Sequence, residues 1–190
     1  MRLSFVLILI LTGFSTIAIK ITAQEKSNVF TTPVNGNVLP VPKEENQLFY
    51  LQRDPNSNTV VYTLNLEDGK INTEEPIKVH WIRYAEGGKR TDLSFIQRKM
   101  AYGVHHKKVS ETEFDIRIQA YKDLPIVLKY NKNAEKYQTF TKIKNKEVVL
   151  EKIFVRITGG SIFNPHVKYI EVSGYNPLTE KKISHQFIPD

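Results

Sequence analysis

The side chains able to do chemistry are few and scattered along the chain. Five histidines, His80, His105, His106, His166 and His185, are the only imidazole ligands on offer. None stands in helical ligand spacing, and the adjacent pair His105-His106 points to opposite faces of a strand. No metal site and no cofactor is expected. The absence of cysteine excludes a thiol nucleophile, thiolate metal ligation and a disulfide scaffold. Ser161 follows Gly159-Gly160, but it lacks the strand-to-helix elbow that exposes a nucleophile, and a turn between strands explains the glycines. Glu67, Asp68, Glu74 and Glu75 cluster around Gly69 and Pro76, where a solvated loop is expected instead of two carboxylates facing across a cleft. No catalytic residue is assigned.

Binding chemistry is better represented. Arg53, Tyr62, Trp81, Arg83, Arg98, Tyr102 and His105, with Gln52 and Gln97, combine planar donors with aromatic faces. That inventory suits a carboxylate, phosphate or sugar in a concave site. Strand alternation places Trp81 and Arg83 on one face and His80, Ile82 and Tyr84 on the other, so one pocket cannot hold all of them. The plain alternative is a buried tryptophan with arginines paired to surface acids. A second feature is the lysine run Lys129, Lys132, Lys136, Lys142, Lys144 and Lys146, opposed within its span only by Glu135. It reads as an anion patch or, more plainly, as lysines that guard edges and turns.

The elements that must position these residues are mostly strands. Met1-Arg2, an apolar run over residues 3–19 and Ala23 describe an export signal over residues 1–23. Residues 24–45 mix Ser, Asn, Thr and Gly with Pro33, Pro40 and Pro42, and read as a flexible segment. Residues 46–190 form one β-rich domain. Within it Phe114, Ile116 and Ile118 alternate with Asp115, Arg117 and Gln119, the pattern of a half-buried strand. Comparable runs cover residues 47–53, 58–65, 77–84, 126–130, 136–143, 147–157, 166–174 and 181–187. From residue 113 onward short turns follow one another, which predicts an antiparallel meander. One helix is expected near residues 92–102, capped by Thr91-Asp92, with Leu93, Ile96 and Met100 as its buried stripe and Gly103 at its end. So many short strands predict an all-β fold closing as a barrel, with a two-sheet sandwich as the alternative.

The words Phe49-Tyr50-Leu51-Gln52-Arg53, Thr59-Val60-Val61-Tyr62, Val79-His80-Trp81-Ile82-Arg83-Tyr84 and Ala101-Tyr102-Gly103-Val104 resemble an uncharacterised family of exported bacterial proteins, catalogued as a domain of unknown function. The resemblance covers roughly residues 46–188. It implies an envelope location and a single domain, and it carries no activity, ligand or catalytic residue.

The chain has 190 residues, a formal charge of +7, 41% hydrophobic residues and 25% charged ones, which fits one folded basic domain. The function expected is that of an exported, non-catalytic binding protein, in the periplasm or outside the cell. Its partner would be a small amphiphilic or anionic ligand or an envelope component. The alternatives are a protein–protein module of the envelope and an enzyme of unrecognised type. Intracellular nucleic acid is not an expected partner, and no transmembrane span is expected once the signal is removed.

Overall fold

The computed structural model describes residues 31–34, 37–54, 56–161 and 164–189. The expected export signal lies outside the described residues, as does much of the segment expected to be flexible. Strands β1 (Thr31–Val34) and β2 (Asn37–Pro40) pair as a hairpin. β3 (Gln47–Asp54) and β4 (Asn56–Leu64) follow, then the short hairpin of β5 (Leu66–Glu67) and β6 (Lys70–Ile71). Next come β7 (Ile77–Arg83), β8 (Lys89–Asp92) and a single helical turn, α1 (Phe95–Gln97), which runs on as a π-turn over Arg98–Tyr102. The remainder is all strand: β9 (Val104–Ser110), β10 (Glu113–Ile118), β11 (Tyr121–Asn131), β12 (Lys136–Ile143), β13 (Lys146–Gly160), β14 (Pro165–Tyr175) and β15 (Lys182–Phe187).

Eleven strands form one curled sheet in the order β8-β7-β4-β3-β13-β12-β11-β10-β9, with β14 and β15 added beside β13. The expected meander runs from β9 to β15, each strand antiparallel to the next. β13 is the branch point. Its first residues pair with β12, its middle runs parallel to β3 from Lys152 against Tyr50 to Arg156 against Asp54, and β14 lies along its other side. The two-residue turn between β12 and β13 has positive φ at both Lys144 (49°) and Asn145 (63°), the twist that matches a tight hairpin.

The sheet is a half-barrel, not the closed barrel that the strand count predicts. Closure would require β8 to meet β9, and each of these strands pairs on one side only. Both edges are charged and exposed: Lys89 and Arg90 stand on β8, and His105, His106, Lys107 and Lys108 on β9. Such charges keep strand edges from pairing.

The concave face holds the core. Phe49, Val60, Tyr62, Val79 and Trp81 from one arm pack with Phe114, Ile116, Ile118, Ile126 and Leu128 from the other, and Leu150, Ile153, Ile170 and Val172 join them at the branch. On the convex face, residues 39–44 cross β3, β4 and β7. Leu39 and Pro42 are buried there, Gln52 donates through Nε2 to the Pro40 carbonyl oxygen at 2.5 Å, and Tyr50, Val61 and Ile82 form a small second cluster against Val41.

The helix departs furthest from its expected form. Ser94, not Thr91 or Asp92, caps it, with a reciprocal pair of bonds to Gln97. Leu93 is buried, but Phe95 (75% exposed), Ile96 and Met100 (61% each) face outward. One α-turn followed by a wider π-turn shifts the phase of the apolar positions, so the predicted stripe does not meet the sheet.

Candidate functional site

Four of the residues singled out as binders come together at the heart of the fold. Trp81 and Tyr102 meet edge to face with ring centroids 5.1 Å apart. The Arg53 guanidinium lies 5.9 Å from the indole centroid and 6.0 Å from the Tyr102 ring, a cation–π arrangement on both. Tyr62 stacks on Phe49 at 4.2 Å and donates its hydroxyl to the Tyr102 carbonyl oxygen at 3.1 Å. The Trp81 indole N–H donates to Gln97 Oε1 at 3.3 Å, tying the helical turn to β7. Burial raises the hydroxyl pKa of both tyrosines, with Arg53 holding Tyr102 back in part. Trp81 is only 4% exposed and Tyr62 fully buried, so these side chains meet one another before they can meet a ligand. Arg83 shares the strand face of Trp81 but stays apart from the cluster, its Nη1 2.8 Å from Glu86 Oε1.

The other two, Arg98 and His105, line a cleft of about 450 Å³ between the start of β7, the start of β9 and the helical turn. Its apolar wall is Ile77, Val79 and Val104, with Phe95 at the lip, and its rim carries Arg98, Lys99, Lys122, His105 and His106. Glu75 is the one acid lining it, 3.9 Å from Arg98 Nη1, too long for a firm bond. His105 Nε2 touches Gln119 Oε1, and Lys99 sits 5.7 Å from the Phe95 ring. Exposed Phe95, Ile96 and Met100 continue the apolar wall outward as a shoulder. The cleft is therefore a cationic mouth over an apolar wall.

The six lysines do not form one patch. Lys132 and Lys136 stand at the turn between β11 and β12, while Lys144 and Lys146 stand at the opposite end of β12 beside Lys142. Eight residues of strand separate the ends, roughly 25 Å. Lys129 lies over the Phe140 ring at 4.4 Å and pairs with Glu147 at 2.9 Å. The histidines disperse as well: among the described residues no three of His, Asp and Glu converge as a metal-binding group. His80 is buried on the convex face with its Nε2 2.6 Å from Glu44 Oε2. Burial lowers its pKa, Glu44 opposes that shift and Arg90 adds to it.

A second concavity, of about 790 Å³, was not foreseen from the sequence. It lies on the convex face where β13, β14 and β15 run beside residues 41–43, and Lys152, Glu151, Glu171, Tyr50, Ser173 and Ser184 line it. The signal in the sequence was the pair Glu151-Lys152, two polar residues in succession between the apolar runs Val148-Val149-Leu150 and Ile153-Phe154-Val155. In the structure Glu151 is the extra residue of a β-bulge, between Leu150 against Gly174 and Lys152 against Ser173.

Residues 49–186 match the model of a family described as a domain of unknown function (DUF4833), and the chain belongs to that family. No curated protein and no solved structure matches the chain.

Proposed function

We propose that this member of the DUF4833 family is an exported, non-catalytic binding protein that holds a small anionic amphiphile in the cleft beside the helical turn. One observation carries the reading: Arg98, Lys99, Lys122, His105 and His106 surround an apolar wall of Ile77, Val79 and Val104, with Glu75 the one acid lining it. Arginine grips a carboxylate or phosphate through two parallel hydrogen bonds, while the lysines raise the local concentration of anions. The volume falls within the range of small-molecule sites. Phe95 at the lip gives an alkyl tail its first contact, and the capping box of Ser94 and Gln97 holds the turn that presents it.

The test uses the single tryptophan, whose indole is bonded to Gln97 of the same turn. Dodecanoate and dodecyltrimethylammonium, both below their micellar concentrations, are titrated while Trp81 emission is followed. Saturable binding of the anion alone, weakened about tenfold or more in Arg98→Ala/Lys122→Ala, as loss of charge-assisted bonds of roughly 1.5–3 kcal/mol requires, supports the reading. Equal response to both amphiphiles, or an unchanged affinity in the double variant, refutes it.

The exposed shoulder of Phe95, Ile96 and Met100 favours a second reading, a docking surface for an envelope protein. Ile96→Glu/Met100→Glu distinguishes the two, because neither residue lines the cleft. A docking surface loses its partner in that variant, whereas dodecanoate binding persists if the cleft holds the ligand.

A further inference from the structure

The groove on the convex face contains a buried cation that no described acid meets at ion-pair distance. Lys152 is 5% exposed, yet it lines an open cavity of about 790 Å³. Among the described residues its ammonium makes no hydrogen bond and no ion pair within 4 Å; Glu171 and Glu151 act on it from further away, and its Nζ lies 5.2 Å from the Phe154 ring centroid. Glu151, the bulged residue next to it, is drawn to Lys182 at 3.6 Å. A lysine so placed is not explained by stability, since burial disfavours its charge more than the two glutamates favour it, and an apolar side chain would pack there at no such cost.

Its neighbours are ordered in a way that suggests a recognition surface. The register aligns Tyr50 on β3, Lys152 on β13, Ser173 on β14 and Ser184 on β15 as one row across four strands. Residues aligned in this way share a face about 5 Å apart, and all four line the groove. The row thus offers a phenol, an ammonium and two hydroxyls along one line. Glu171 and Glu151 lie beside it, and Lys43 and Lys182 complete the rim.

We infer that this groove is a binding site for a small monocarboxylate that also carries hydrogen-bond donors, the chemistry shared by sugar acids and amino acids. The carboxylate takes the Lys152 ammonium and the Ser173 and Ser184 hydroxyls, and the ligand's hydroxyl or ammonium donors take Glu171 and Glu151. The two glutamates beside the ammonium disfavour a phosphate or sulfate dianion and leave room for a monoanion. Burial lowers the Lys152 pKa while Glu171 and Glu151 oppose that shift, so an arriving carboxylate stabilises the protonated amine and draws in a proton where the amine was neutral. The site shares no lining residue with the cleft beside the helical turn, and it stands whether or not that cleft binds an amphiphile.

The experiment is a calorimetric titration of the full chain with glucuronate, with serine, and with glucose and ethanolamine as partners lacking the carboxylate. Saturable binding of glucuronate or serine, but not of the two controls, is expected, and the acid that binds identifies the ligand's source. Lys152→Met, of similar length and uncharged, should reduce that affinity at least tenfold while raising the melting temperature. Ser184→Ala, at an exposed position that the fold does not need, should reduce it severalfold and guards against a Lys152→Met variant that fails to fold. Binding should also weaken as pH rises and Lys152 loses its proton. Failure of both acids to bind at millimolar concentration overturns the inference, as does binding that survives Lys152→Met and Ser184→Ala unchanged.

Discussion

Replacing Trp81 with alanine tests whether the aromatic cluster is core or ligand surface. The indole is 4% exposed and contacts Tyr102 and the Arg53 guanidinium. A buried tryptophan removes roughly 150–250 Å² from water. At about 25 cal/mol per Å², loss of the portion beyond Cβ costs about 4 kcal/mol, in line with the 3–5 kcal/mol found for large aromatic truncations in cores. The Arg53 contact adds about 0.5–1 kcal/mol and the edge contact with Tyr102 a similar amount, although these overlap with the burial term. Against a domain stability of about 5–15 kcal/mol, Trp81→Ala should leave the protein folded at 25 °C only marginally, or not at all. The assay is urea unfolding followed by far-ultraviolet circular dichroism, because the variant has no tryptophan to report. An Arg53→Met partner variant closes a double-mutant cycle, with a coupling of about 0.5–1 kcal/mol to Trp81. A loss under about 1 kcal/mol for Trp81→Ala would refute the reasoning. If the same stably folded variant also failed to bind dodecanoate by calorimetry, Arg53, Trp81 and Tyr102 would be the ligand surface, and the cleft of Arg98 and His105 would not.

Two further predictions concern the convex face. His80 is buried against Glu44 with Arg90 and Asp92 nearby, and its pKa is lowered from 6.5 in the folded state. The unfolded chain therefore binds the proton first, so stability is fully present above about pH 6.5 and declines as pH falls below it toward the depressed folded value. Urea midpoints measured from pH 8 to pH 5 should fall over that window, and His80→Gln should flatten the fall; a wild-type profile without that decline contradicts the assignment. Gly174 sits opposite the bulge of β13, where a Cβ would overlap the Val149 carbonyl oxygen. Gly174→Ala should cost at least about 1–3 kcal/mol, the range for overpacking, and should disturb the Lys152 groove; an unchanged melting temperature would show that the strands part easily there.

Much of the fold was legible because a half-buried strand writes its period into its residues. All nine alternating runs are strands, and the antiparallel order after residue 113 follows from their short connections. The two edge strands β8 and β9 were illegible for the same reason, unlike the third edge strand, β15. On β9, every residue from His105 to Ser110 is exposed, so no apolar alternation marks it, and β8 is a charged four-residue edge. Period two also states which face is inside without saying which distant strand lies alongside. The parallel pairing of β3 with β13 joins residues about a hundred positions apart, and only that pairing turns two meanders into one open sheet. Among the binders, Arg98 and His105 were recognisable by type, but nothing in their spacing showed that Lys99, Lys122 and His106 would share their cleft.

Lys152 shows most plainly what a periodic reading overlooks. In a strand whose inward residues after the bulge are Ile153 and Val155, a lysine out of phase with them reads as solvated. Two facts in the sequence oppose that reading. Phe154 is in phase with Lys152, and Tyr50, Gln52 and Asp54 recur on the matching face of β3, so the outward face is itself partly covered. Glu151-Lys152 also breaks the alternation, as a bulge does, and here the bulge turns Glu151 toward the same groove. A polar pair within an apolar strand whose back face carries aromatics is thus a sign of a polar site beneath a covered sheet. It is not a sign of the solvent boundary. By that criterion the convex groove, defined by a buried lysine that no acid meets at ion-pair distance, is the more specifically built of the two sites. The cleft beside the helix is the more strongly charged, and electrostatic attraction alone accounts for less of what a binding protein must discriminate.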